Sequence, residues 1–251
     1  SYRNLSTLEA LEIIYKRNPE IKVVNKINSS MFIPDEGLYI SNNNLTIDAT
    51  NNFVSDSILV WISDSNVNPS KKSDLLLGPY KIHPITVPFN EKLEIKFNYQ
   101  YDEGIGIYYY ESKKEKWVYM DTYYNNNTYS TSILSTEIFA LIKEKNPPKI
   151  KHLIPDINGT YKVEDIDKIE FFIDDDLSGI SNIDNISLKI DDVPLLFEYN
   201  TYRKKIFYNF EDWLTIGEHL LNIEIKDNVG NTTIIKGNFL IKWNKENLLL
   251  E

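Results

Sequence analysis

Residues Gly104–Met120 read GIGIYYYESKKEKWVYM. Ile105–Tyr110 is aromatic and β-rich, and Trp117–Met120 is a second apolar run. Aromatic and β-branched side chains fit a pleated, half-buried surface. Between the two runs Glu111–Lys116 is wholly polar and has no place in a core. Two strand-like runs around a short polar loop predict a β-hairpin. Successive side chains on a strand point to opposite faces, so Tyr109 is expected opposite Tyr108 and Tyr110. The tyrosines are therefore split between two faces, and most are read as core and cross-strand pairs.

The same style extends in both directions. Leu93, Ile95, Phe97 and Tyr99 alternate with Glu94, Lys96 and Asn98, the cleanest period-two pattern in the chain. Ser57–Ile62 is a continuous apolar run, as expected of a strand covered on both faces. Short strands are also predicted at Leu38–Ile40, Leu45–Ile47, Leu75–Leu77, Tyr80–Ile82, Thr128–Leu134 and Ile138–Ile142. Lys143–Lys149, KEKNPPK, reads as a linker, because Pro147-Pro148 forbids helix and favours an extended path. Beyond it come Lys149–Leu153, Ile169–Ile173, Ser187–Ile190, Leu195–Tyr199, Lys205–Phe210, Gly217–Lys226 and Thr232–Trp243. Seven strands at this spacing predict an immunoglobulin-like sandwich. The exception is near the start. Ser6-Thr7-Leu8-Glu9 matches a capping box, and Leu8, Leu11 and Tyr15 follow at helical spacing up to Pro19, which predicts one short helix.

The expected architecture is all-β, two β-sandwich domains with a short N-terminal helix. Residues 1–30 hold the helix and a lead-in strand, 31–144 the first sandwich, 145–149 the linker, 150–243 the second sandwich and 244–251 a tail. The start at Ser1, with neither an initiator Met nor a signal-peptide pattern, reads as a fragment or a processed form.

Composition narrows the partners. A net charge of −10 argues against a nucleic-acid groove and is unhelpful at anionic membranes. No apolar run approaches the roughly 20 residues that span a bilayer. With no cysteine, disulfides, zinc–thiolate sites and a cysteine nucleophile are all ruled out. His83, His152 and His219 are isolated from one another, so a His-based zinc site is not expected. There is no G-x-S-x-G elbow. A pair of carboxylates for glycoside hydrolysis could arise in any fold.

Two features remain as candidate sites. Asp175 and Asp176 in one loop could meet Asp227 and Asn228 in another and offer oxygens to Ca²⁺; the plainer reading is that they cap turns through nearby backbone N–H groups. Tyr123 and Tyr124, beside Asn125–Asn127, are the best exposed candidates for stacking on sugar rings. No catalytic, cofactor or metal-binding residue is assigned.

A family resemblance goes further than these residues do. Leu45–Ala49, Ser57–Ile62, the segment Leu77-Gly78-Pro79-Tyr80-Lys81-Ile82 with Pro84, Phe89, the I-G-I-Y-Y-Y…K-W hairpin and Ile138–Leu141 together resemble the bacterial ZU-five-like β-sandwich. A Pro-x-Gly-Ala turn, frequent in such domains, is replaced by Ala49-Thr50-Asn51-Asn52. Asp175–Ile180 (DDLSGI) and Lys226–Asn231 (KDNVGN) resemble marks of a bacterial Ig-like module. The tandem is similar to C-terminal, non-catalytic regions of exported bacterial proteins, including lysostaphin-type zinc endopeptidases. The resemblance implies an accessory or interaction region in the periplasm, at the cell surface or secreted, with a protein or a cell-wall glycan as partner. The alternative it leaves open is a carbohydrate-binding or adhesion module.

Overall fold

The computed structural model describes residues 29–243 except 35, 43, 50–53, 55, 70–72, 86 and 213. The helix expected near the N-terminus lies outside the described residues, as does the lead-in strand. The described part is all-β, with two compact units, Ser1–Glu144 and Lys145–Glu251. No helix among the described residues is long and apolar enough to cross a membrane.

The first unit is a sandwich. Its six-stranded sheet contains β1 (Ser29–Phe32), β4 (Ile58–Asp64), β5 (Ser73–His83), β11 (Ile138–Glu144), β7 (Ile105–Glu111) and β8 (Lys116–Met120), in that spatial order. Its five-stranded sheet contains β2 (Leu38–Ser41), β3 (Leu45–Ala49), β6 (Pro88–Asn98), β10 (Thr128–Ser135) and β9 (Tyr123–Asn125). Period-two alternation drives the packing: Leu45, Ile47, Leu93, Ile95, Phe97, Tyr129 and Ile133 all point inward and are buried against Ile82, Ile107, Phe139 and Leu141.

The hairpin centred on Lys113 stands as β7 and β8, with Tyr108 facing Tyr119 and Tyr110 facing Trp117 across it. Both pairs meet edge to face, at 5.6 and 5.4 Å between ring centroids. Tyr108 is fully buried although it lies on the opposite side of β7 from Ile107, which joins the sandwich core. The far face of this sheet is thus covered as well: the Trp117 indole N–H donates to the Asn68 carbonyl, 3.1 Å away, in the loop after β4.

The break expected at Gly78-Pro79 is a bulge inside one long strand. Opposite Phe139 and Leu141 stand Tyr80 and Leu77, so two residues of β5 face one of β11. Gly78 sits at φ +87°, and a Cβ there would come within 2.9 Å of the Tyr80 nitrogen, so only glycine fits.

The second unit packs a four-stranded sheet, β12 (Lys149–Ile154), β14 (Lys168–Asp174), β18 (Lys205–Asn209) and β17 (Glu198–Asn200), on a five-stranded one. The latter runs β13 (Thr160–Lys162), β20 (Thr232–Lys242), β19 (Gly217–Lys226), β15 (Ile186–Ile190) and β16 (Val193–Pro194). Ile169, Phe171, Ile206, Leu221, Ile223, Ile225 and Phe239 form its core.

The single strand expected over Leu195–Tyr199 is in fact a crossover. Val193–Pro194 pairs with β15 in one sheet and Glu198–Asn200 with β18 in the other. Leu195 and Phe197 pack on the core between them, so an apolar run that reads as a strand is here a passage between sheets.

Phe97 is wholly enclosed. Phe97→Ala is expected to destabilise the first unit by about 3–5 kcal/mol, through lost transfer free energy and the cavity left behind. Urea denaturation followed by tryptophan fluorescence measures it.

Candidate functional site

The five-stranded sheet of the first unit has one face in the core and one in water, and strand register fixes what the outer face displays. Tyr123 of β9 lies beside Ser130 of β10; then follow Lys96 of β6, Thr46 of β3 and Ser41 of β2. The next row runs Ser132, Glu94, Asp48 and Tyr39. On the other side stand Asn125, Thr128 and Asn98. The face is therefore a lattice of hydroxyl, amide and charged groups with a tyrosine on each edge strand. Tyr39 is 67% exposed and Tyr123 68%.

Lys96 on this face is matched by two carboxylates. The Lys96 ammonium lies 2.8 Å from Glu94 and 3.8 Å from Asp48. Its hydrogen bond to Glu94 outweighs partial burial and raises its pKa above the ordinary lysine value, with Asp48 and Tyr39 adding to the rise.

The β9 edge is held in place from behind. Asn126 and Asn127 form a two-residue turn with both φ values positive, the geometry that suits the twist of a tight hairpin. Tyr124 points away from the open face, and its ring lies 5.0 Å from Tyr101 and 4.8 Å from buried Tyr129. Tyr129 donates its hydroxyl proton to the Asp102 carbonyl and accepts from the Asp102 N–H. Of the two tyrosines singled out by sequence, only Tyr123 reaches the open face; Tyr124 is turned to the core by strand alternation. Alternation marked Lys96 as solvent-facing, but Tyr39 and Ser130 had no signal in the sequence, because nothing local reveals that β2, β6, β10 and β9 share a sheet.

The aspartate turns of the second unit do come together. Asp175 Oδ2 accepts from the N–H groups of Leu177 and Gly179. Asp227 Oδ1 accepts from Val229 and Asn231, and its Oδ2 accepts from the Asn231 amide at 2.7 Å. Asn228 ties the turns to each other: its N–H donates to the Gly179 carbonyl and its side-chain amide to the Ser178 carbonyl. One oxygen of Asp175 lies within 4.8 Å of one of Asp227. Asp175 Oδ1 is enclosed and takes no hydrogen bond among the described residues. Asp176 is instead within 3.4 Å of the Lys149 ammonium. Burial pushes the Asp227 carboxyl above the usual carboxylate range; hydrogen bonds from Asn231 and Val229 pull it down, and Asp175 adds to the rise. Asp227 is only 1% exposed, so this pair of carboxylates has no access to a glycosidic bond.

The three histidines occupy separate environments. His83 stacks on Trp61, with ring centroids 4.6 Å apart, and its Nε2 lies 3.0 Å from Ser63 Oγ. Burial, with the Lys81 ammonium, pushes its pKa down to about 4. His152 meets Phe172 edge on. His219, buried against Phe239, has Nδ1 2.7 Å from Asp191 Oδ2 and Nε2 2.7 Å from the Thr215 carbonyl.

Models of known protein families give no match to the chain, and neither do curated protein sequences. Among solved structures, dimeric latent PorU from Porphyromonas gingivalis is similar over 70% of this chain at 15% identity and TM-score 0.28. The extracellular domain of BT4673 from B. thetaiotaomicron is similar over 89% at 12% identity and TM-score 0.27. This chain spans 24% and 31% of their respective lengths.

Two outcomes follow from these geometries. Asp227→Ala leaves the half-buried Val229 and Asn231 N–H groups without their carboxylate acceptor and is expected to cost about 1–3 kcal/mol, read from urea midpoints. His83 binds its proton less readily in the fold than in the unfolded chain, so stability falls as pH drops from about 6.5 to about 4. In His83→Phe that part of the pH dependence disappears, as measured by denaturation across this range.

Proposed function

We propose that the chain is a non-catalytic accessory and interaction region of an exported bacterial cell-envelope protein. The observation that carries this reading is the outer face of the β2–β3–β6–β10–β9 sheet. It is a polar surface with an exposed tyrosine at each edge, and its inner side is anchored in a packed core. Polar groups preset on a rigid sheet recognise a partner without having to order a loop first. The acidic net charge directs the partner away from nucleic acid.

The resemblance to a ZU-five-like sandwich followed by an Ig-like module supports placing the chain in the periplasm, at the cell surface or outside the cell. It also supports a lysostaphin-type peptidoglycan endopeptidase as the parent, with chemistry carried by another domain. A carbohydrate-binding or adhesion module of a surface protein is the second reading, favoured by the two exposed tyrosines. The full reading frame separates the two: an H-x-x-x-D…H-x-H domain identifies a peptidase parent, a run of Ig-like repeats an adhesin.

The purified chain is expected to sediment with washed bacterial envelope fractions, through their wall glycan or a wall protein, and to release no dye from labelled peptidoglycan. A chain that stays in the supernatant with every fraction, or that releases dye, overturns the reading.

A further inference from the structure

The outer face of the five-stranded sheet has a chemistry that selects among partners. Its edge residues Tyr39 and Tyr123 are separated by four strand spacings, roughly 19 Å at the usual distance between neighbouring strands. Each presents an apolar ring ending in a polar hydroxyl. Between them lie Ser130, Ser132 and Thr46, whose hydroxyls both donate and accept hydrogen bonds. The lysine among them, Lys96, is neutralised by Glu94 and Asp48, so the face carries no unmatched positive charge and a slight negative excess.

These properties define the complementary ligand. A polyanion is repelled, which removes nucleic acid and acidic polysaccharides. An apolar peptide finds no greasy groove between the tyrosines. A pyranose ring, by contrast, has an apolar C–H face that stacks on an aromatic ring and a rim of hydroxyls that both donate and accept. The separation of the two rings suits a short chain of sugars rather than one. We infer that this face binds a neutral oligosaccharide laid across the strands, with one sugar on Tyr123 and another on Tyr39. This rests on the reading of the chain as an interaction region and names its ligand class.

The side chains involved lie outside the core, so they can be changed without emptying it. Calorimetric titration of the intact chain with chitohexaose and with cellohexaose tests the inference. Saturable binding of at least one hexamer is expected, weakened roughly tenfold or more in Tyr123→Ala and in Tyr39→Ala, the effect of losing one stacked ring. Tyr123→Phe keeps the ring and is expected to bind within a few-fold of the unaltered chain. Tyr202→Ala, at an exposed position of the second unit, is expected to bind unchanged. Circular dichroism confirms that each variant is folded. Binding that survives both alanine changes overturns the inference, because the sugar then sits elsewhere. Failure of both hexamers to bind also overturns it. If the chain then still sediments with an envelope protein, the interaction reading stands and only the glycan is wrong; if it sediments with no fraction, both fall.

Discussion

The first unit depends on one constraint: each strand of the five-stranded sheet must place every second side chain in a water-free layer. Leu45, Ile47, Ile95, Phe97 and Ile133 meet it almost completely. Because the side-chain period of a strand is two, the same constraint dictates what faces water. A slip of one residue would drive Lys96 and Glu94 inward and turn Phe97 and Ile95 out. Hydrophobic burial thus sets the register, and the register lines Tyr123, Ser130, Lys96, Thr46 and Ser41 up in one row. The proposed recognition surface is the reverse side of the core.

The second unit meets a different demand. Its two aspartate turns satisfy buried backbone N–H groups with carboxylate oxygens, which gives strong, charge-assisted hydrogen bonds. The cost is a pair of like charges brought close in a place where Asp227 has almost no contact with water. Burial first, with a smaller contribution from the Asp175 carboxylate, raises the Asp227 carboxyl above its ordinary range. The passage between the two sheets at Leu195–Phe197 solves a separate problem, carrying the chain from one layer to the other while two apolar side chains stay packed on the core.

Much of the fold was legible because burial leaves a periodic trace. The alternation over Leu93–Tyr99 falls within β6 except for Tyr99, just past its end, and the aromatic runs around Glu111–Lys116 stand as β7 and β8. What could not be read was set by distant partners. Gly78-Pro79 looks like the end of a strand, yet pairing with β11 carries the strand through it as a bulge. Asn126-Asn127 is a tight turn, but in a chain so rich in asparagine the pair carries no signal. The three residues of β13 gain strand character only by lying parallel to β20. For the candidate site the gap was wider. Tyr123 stood out by composition, whereas Tyr39 belongs to a different strand at the far edge, and their common face is a product of strand order alone.

The two edge strands that frame this face are short: β9 has three residues and β2 four. An unpaired strand edge is a template on which another chain can add itself, and a short edge gives such a guest few backbone bonds. The face can therefore keep its tyrosines at the rim without inviting sheet growth there. The backbone there offers little foothold for self-association.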